Sequence, residues 1–328
     1  MGWIETDRIF NIGNDEQFLE LALEVFRFQA AENPVYKAYL NHLGILPANV
    51  QSLEEIPFLP IEFFKKHRVV TGDLGHEVIF ESSGTSGENP SKHFVRNLEL
   101  YRRSFTSTFK LFYGDTSQYC ILALLPSYLE RQNSSLVYMA NELINLSGHP
   151  GSNFYLDDHK SLISQLKMLE KENQPTLLIG VSFALLELAE NSLAYLTNTI
   201  VMETGGMKGR REEMTRQELH ERLCLGFKLG AIHSEYGMTE LLTQAYSKEN
   251  GVFKTPPWMK VLIRDPFDPF GQMPMDKSGG INIIDLANLY SCAFISTQDI
   301  GKQVPEGGFE VLGRFDNSDI RGCNLMLE

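Results

Sequence analysis

Apolar and polar positions change rhythm several times along this chain, and each rhythm predicts a different element. Residues 15–31, DEQFLELALEVFRFQAA, space their apolar side chains at helical intervals behind acidic residues, which predicts an amphipathic helix. The segment IPFLPIEFF at 56–64 joins two prolines to bulky apolar residues and predicts an extended strip packed on a larger body. From about residue 118, short apolar runs alternate with amphipathic stretches. QYCILALL, PTLLIG, NTIVMET and KLGAIH read as strands. SSLVYMANELINL, HKSLISQLKMLEKE, SFALLELAEN and REEMTRQELHERLCL read as helices between them. This alternation predicts an α/β fold with parallel strands and helical crossovers. After about residue 250 the chain turns often and predicts a β-rich portion. Residues 1–315 are thus expected to form one large domain, with 316–328 as an exposed or lightly docked tail.

The composition narrows the class. With 328 residues, 43% of them hydrophobic, the chain can bury a large core. Its net charge of −13 argues against broad binding to nucleic acid or an anionic membrane, so an anionic ligand must be held by a local site. Cys120, Cys224, Cys292 and Cys323 form no CxxC pair and read as reduced thiols of a cytoplasmic protein. Cys120 and Cys292 fall in apolar strand patterns and are expected in the core. The start, MGWIETDRIF, has no secretory pattern, and no apolar run reaches the ~18 residues of a membrane span.

In open parallel sheets, ligands bind at the carboxyl ends of strands. Gly180-Val181-Ser182, Thr204-Gly205-Gly206 and Ser234-Glu235-Tyr236-Gly237 are expected there. A further loop, SSGTSGENPSK at 82–92, lies between two predicted strands. Its glycines permit close backbone approach, successive N–H groups form an anion nest, and Ser83, Thr85 and Ser86 add hydroxyls. Lys92 adds a charge. The loop is neither a Walker loop nor a nucleophile elbow, and a flexible polar hairpin explains it equally well.

YGMTE at 236–240 offers a ring, a hydroxyl and a hard oxygen ligand for Mg2+, although a plain junction after a strand has the same composition. Lys208, Arg210 and Arg211 crowd an expected helix N-terminus, where they either face water or a bound anion. Asp299, in STQDIG, can accept from two ribose hydroxyls or serve a turn. Arg314 can hold ribose or phosphate, or make a surface ion pair. His220 and Cys224 stand four apart on a helix, but no further ligands cluster with them. His233 either lines an acyl pocket or is structural. Ser182-Phe183-Ala184 and Leu125-Pro126-Ser127-Tyr128 are candidate walls of such a pocket.

Together, SSGTSGENPSK, YGMTE, STQDIG and LGRFDNSDIRG resemble, in order, the motifs of the adenylate-forming superfamily. Within it, the length and IPFLPIEFFK are most similar to LuxE-type acyl-protein synthetases, near the phenylacetate-CoA ligases. The resemblance implies the large N-terminal domain of that fold, with parallel sheets flanked by helices and a small β-rich subdomain. It implies that Ser83, Gly84, Thr85, Ser86, Gly87 and Lys92 hold the phosphates of ATP. Gly205 and Gly206 would line the adenine, with Tyr236 and Gly237 beside it. Thr239 would contact the α-phosphate, Glu240 the Mg2+, and Asp299 and Arg314 the ribose.

The implied activity is ATP-dependent activation of a carboxylic acid, a fatty acid in LuxE-type proteins, to an acyl-adenylate. The acyl group would then pass to Cys323, in RGCNLMLE, and on to a downstream acyl-accepting or reductase protein. Coenzyme A is the alternative thiol, and a non-catalytic nucleotide-binding scaffold the alternative class. Two departures stand out. The phosphate loop runs longer than the usual Gly-x-Pro-Lys, and the chain stops just after the hinge motif, so the C-terminal domain with its lysine is expected to be absent.

Overall fold

In a computed structural model, the structure describes residues 4–72, 75–83, 89–126, 132–156, 158–191, 195–205 and 214–315. Three helices open the chain: α1 (Thr6–Phe10), α2 (Asp15–Glu32) and α3 (Pro34–His42). The Asn14 side chain caps α2 by accepting from the Gln17 amide, and the apolar stripe through Phe18, Leu21, Val25 and Phe26 is buried. The proline-rich strip is extended only at β1 (Leu59–Pro60) and then turns into the short helix α4 (Phe63–Lys66). The segment pairs with a much later strand, Leu59 opposite Ile295, so Pro60 lies on a sheet edge.

Strands β2 (Val78–Glu81) and β3 (Lys92–Val95) form an antiparallel hairpin around the hydroxyl-rich loop, as its flanks predict. Helix α5 (Leu98–Tyr113) follows, capped by Asn97. Then comes the alternating unit: β4 (Cys120–Leu124), α6 (Ser135–Ser147), β5 (Asn153–Phe154), α7 (His159–Lys171), β6 (Thr176–Val181), α8 (Ser182–Asn191), β7 (Thr199–Thr204), α9 (Arg216–Phe227), β8 (His233–Tyr236) and β9 (Ala245–Ser247). These strands form one sheet in the order β5-β4-β6-β7-β8-β9, parallel except for the β8–β9 pair. Every residue of β4 and β6 is buried, as in strands covered on both faces.

The remaining strands are β10 (Val252–Phe253), β11 (Met259–Arg264), β12 (Gly279–Asp285), β13 (Phe294–Gln303) and β14 (Phe309–Arg314). They make a second sheet, antiparallel in the order β10-β14-β13-β12-β11, with β1 added parallel to β13. The β-rich portion expected after residue 250 is therefore present, and it recruits a piece of the N-terminal region. Among the described residues, no helix is long and apolar enough to cross a membrane.

Three local expectations need correction. KLGAIH is not the strand: Lys228 ends α9 in the left-handed conformation, and β8 begins only at His233. The strand therefore contains the first residue of YGMTE. The helix read over REEMTRQELHERLCL starts at Arg216, because Thr215 and Glu218 form a capping box there. Asp299 does not end its strand; it sits inside β13, beside a register shift between Ile300 and Gly301.

Candidate active site

The site is assembled where the hairpin, the end of β8 and the second sheet meet. On β3, side chains alternate between faces, so His93 points inward while Lys92 points outward. His93 is buried and bonds on both sides. Its Nδ1 donates to the Thr239 carbonyl at 2.8 Å, and its Nε2 accepts from the Ser291 hydroxyl at 2.9 Å. Burial pushes this imidazole down to about 4, so it is neutral and keeps that tautomer. Two residues earlier, Ser91 lies near enough to the Glu240 carboxyl to favour its charged form. The base of the hairpin is thereby bonded to Thr239 and brought beside Glu240.

Glu240 is 5% exposed, and burial raises its pKa, partly offset by nearby Ser91. Among the described residues, no basic side chain forms an ion pair with it. A buried carboxylate in that condition fits a hard cation. Among the described residues no cluster of three or more His, Cys, Asp or Glu is set to hold a metal. A cation here would share its remaining positions with ligand oxygens, as Mg2+ does with phosphates.

The turn after β8 is fixed by groups that sequence reasoning missed. Asp285 is fully buried, accepts from the amides of Leu242 and Thr243 at 2.9 Å each, and accepts from the Thr243 hydroxyl at 2.6 Å. Asn288 donates to the Glu240 carbonyl at 2.7 Å. Neither lies in a recognisable motif; the only local signal was polar residues in an otherwise apolar strand and its exit.

On the other side, Tyr236 donates to Asp299 Oδ2 at 2.8 Å, and Arg314 Nε lies 3.3 Å from Asp299 Oδ1. Asp299 and Arg314 are direct cross-strand partners. Burial raises the Asp299 pKa, while Tyr236 and Arg314 pull it back. The ring of Tyr236 is 8% exposed and packs against Phe253 and Phe309. It therefore offers little face to a base, and its hydroxyl orients Asp299 instead.

Gly205 follows β7 with φ of 69°, a conformation glycine adopts freely. Its carbonyl accepts from the Ser182 hydroxyl at 2.5 Å. Ser182 also donates to Glu203, a buried carboxylate held by Arg216 and close to His220. Burial alone would raise Glu203, yet nearby His220, Arg216 and Ser234 bring it below its ordinary range. His220 is thus committed to Glu203 and to Ser234, at 3.2 Å from its hydroxyl, rather than to Cys224. His233 meets the Tyr113 hydroxyl at 3.2 Å.

Lys92 is not brought to the cluster: its Nζ lies 3.4 Å from Glu81, and the side chain is half exposed. Ser83 is exposed at the start of the loop. Gly84, Thr85, Ser86, Gly87, Gly206, Lys208, Arg210, Arg211, Ser127, Tyr128 and Cys323 lie outside the described residues. Phe183 and Ala184, with Leu156, His159 and Lys160, line an open cleft of about 540 Å³ beyond the ends of β5 and β6.

The family model described as acyl-protein synthetase, LuxE, matches residues 10–328. No curated protein sequence matches the chain. Among solved structures, ATP-bound MatB from Rhodopseudomonas palustris superposes with a TM-score of 0.55 at 18% identity, covering 74% of this chain and 50% of that one. This chain thus spans about half the length of MatB. An open conformation of 2-hydroxyisobutyryl-CoA ligase, in complex with 2-HIB-AMP and CoA, gives 0.65 at 11% identity, covering 92% and 70%. A luciferase-like enzyme from the nonluminescent Zophobas morio mealworm gives 0.55 at 15%, covering 75% and 60%. At these identities the likeness is one of fold.

Proposed function

We infer the function from one premise: the chain belongs to the acyl-protein synthetase LuxE family. On that premise, it activates a carboxylic acid with ATP and transfers the acyl group to a thiol. The observation that carries this reading is the bond from the hairpin base to Thr239, beside Glu240 and near the Tyr236–Asp299–Arg314 group. Three separate stretches of sequence converge there, each suited to one part of a nucleotide.

A carboxylate is a poor electrophile, because its leaving group would be oxide. One carboxylate oxygen attacks the α-phosphorus of ATP, the bond to the bridging oxygen breaks, and pyrophosphate leaves. Bound beside Glu240, Mg2+ would offset the repulsion between the two anions. The hydroxyl of Thr239 donates to the α-phosphate, and the hairpin loop 83–87 holds the outgoing phosphates. Asp299 accepts from the ribose hydroxyls, and Arg314 favours the charged form of that carboxylate. The backbone at Gly205, fixed by Ser182, borders the adenine. A thiolate then attacks the acyl carbon and AMP leaves.

The acceptor in this reading is Cys323, on the tail 316–328, and the acid is a fatty acid. A downstream acyl-accepting or reductase protein would take the group onward. The free thiols Cys120, Cys224 and Cys292 suit a reducing, cytoplasmic setting. ATP–pyrophosphate exchange across a panel of carboxylic acids tests the reading. Acid-dependent exchange is expected, and ATP binding without exchange for any acid would leave the scaffold alternative standing.

A further inference from the structure

The proline-rich strip at 56–64 supplies none of the nucleotide motifs, yet it reaches the Asp299–Arg314 pair. In the parallel β1–β13 ladder, Leu59 lies opposite Ile295 and Pro60 opposite Ser296, and the Ile61 amide then donates to the Ser296 carbonyl at 3.0 Å. Further along each segment, Glu62 meets Gln298: the Gln298 Nε2 donates to Glu62 Oε1. Gln298 precedes Asp299 on β13, and its Oε1 accepts from Arg314 Nη2 at 3.3 Å. Arg314 Nε in turn lies 3.3 Å from Asp299 Oδ1. A chain of side chains thus runs from Glu62 through Gln298 to Arg314 and ends at Asp299.

The direction of the middle link is fixed by chemistry. An ionised carboxylate only accepts and a guanidinium only donates, whereas an amide does both. With Glu62 on one side and Arg314 on the other, a single orientation of the Gln298 amide satisfies both neighbours, and it is the one seen. Among the described residues, the Glu62 side chain makes no capping bond to α4, which starts beside it. Arg264, the other cation close to Glu62, gives its guanidinium to the Ile281 and Thr297 carbonyls and to Asn282. Arg314 needs such a hold. Its side chain is 69% exposed, and an exposed ion pair alone restrains a long side chain weakly. A second acceptor fixes the plane of the guanidinium, whose donors form a rigid fork.

We propose that Glu62 and Gln298 are positioning residues for the nucleotide: acting in series, they hold the Arg314 guanidinium beside Asp299, so that the strip at 56–64 orders the ribose end of the site. This rests on the reading that gives Asp299 and Arg314 to the ribose, and extends it to a segment that reading leaves idle.

The test measures equilibrium binding of ATP with Mg2+, and of 2′,3′-dideoxy-ATP. The proteins are wild type, Glu62→Gln, Gln298→Glu, the two together, Arg314→Ala, and Arg314→Ala with Glu62→Gln, with melting temperatures to check folding. Each single change at 62 or 298 breaks the polarity of the chain. The first leaves two amides free to pair either way round, and the second sets two carboxylates face to face. Each should weaken ATP about threefold or more and leave the dideoxy analogue within about twofold. Together they restore the order of donors: the amide at 62 donates to the carboxylate at 298, which accepts from Arg314. Affinity should then return to within about twofold of wild type, and Glu62→Gln should add nothing once Arg314 is gone. A role confined to packing gives neither result. Wild-type affinity in both single variants, a combined variant no better than the worse single one, or an effect of Glu62→Gln that survives without Arg314 overturns the proposal. So does wild-type affinity in Arg314→Ala. Acid-dependent pyrophosphate exchange by the wild type reads the adenylation chemistry separately, so either idea can fail alone.

Discussion

Tyr236 and Asp299 stand 63 residues apart, and the phenol of one donates to the carboxylate of the other at 2.8 Å. One belongs to the mostly parallel sheet and the other to the antiparallel sheet, so this bond helps join the two at the proposed ribose position. Tyr236→Phe should keep the packed ring and weaken ATP binding about fivefold, near 1 kcal/mol. Asp299→Asn should weaken it about tenfold or more, because the acceptor for the ribose is lost as well. Equilibrium binding of ATP measures both, and equal affinities in the three proteins would remove Asp299 from the site.

Glu240→Gln removes the buried charge while keeping the shape. Pyrophosphate exchange should fall at least about a hundredfold and lose its dependence on Mg2+ concentration. Wild-type exchange in this variant would rule out a cation at Glu240.

Lys92 pairs with Glu81 on the outer face of the hairpin. Exposed pairs of this kind contribute little. Lys92→Ala should leave exchange within about twofold and stability within about 0.5 kcal/mol. A large loss of exchange would mean the hairpin turns Lys92 inward when ATP binds.

Cys323→Ser should abolish covalent acyl labelling of the chain while exchange continues, since the thiol acts after the adenylate forms. Intact mass after incubation with ATP and acid reads this. Retained label points to another nucleophile.

His93 gives the fold a pH dependence of known sign. Its folded value of about 4 lies below the ordinary value near 6.5. Between those pH values the unfolded chain binds a proton that the folded chain refuses. Stability is therefore whole above about 6.5 and declines as pH falls toward 4, by roughly 3 kcal/mol. Urea melts of wild type and His93→Gln at pH 7 and pH 4.5 isolate the effect. The wild type should lose more than the variant on acidification; parallel losses would refute the assignment.

Much of this architecture was legible in the sequence. The alternating apolar runs after residue 118 gave the parallel sheet because strands buried on both faces carry unbroken apolar signals. The hairpin around 82–92 was equally plain from its flanks. The strand at β8 was read too early. Lys228 and Gly230 look compatible with an apolar run, yet the helix ends there on a left-handed residue. The site was legible as motifs but not as a geometry. Tyr236 read as a surface for a base, whereas Phe253 and Phe309 close over its ring. Those residues lie 17 and 73 positions downstream, beyond any local pattern. Lys92 stands away from the cluster in this structure for the opposite reason. The side-chain alternation of β3 carried the needed information, since inward-facing His93 leaves its neighbour outside. Asp285 and Asn288 were invisible because their partners are backbone groups some forty residues away.

The earliest and latest parts of the chain depend on each other. Leu59 pairs with Ile295, Gln29 bonds the backbone at Asn288, Leu289 and Ala293, and Asn33 bonds that at Ser291. During synthesis, the opening helices must wait for more than two hundred further residues before these polar groups find their counterparts. A ribosome halted before residue 288 would release a fragment whose first helices carry Gln29 and Asn33 unmatched, a natural target for chaperones or proteolysis. Quality control of this chain is thus written into its ends, and a late nonsense mutation should behave as a folding defect.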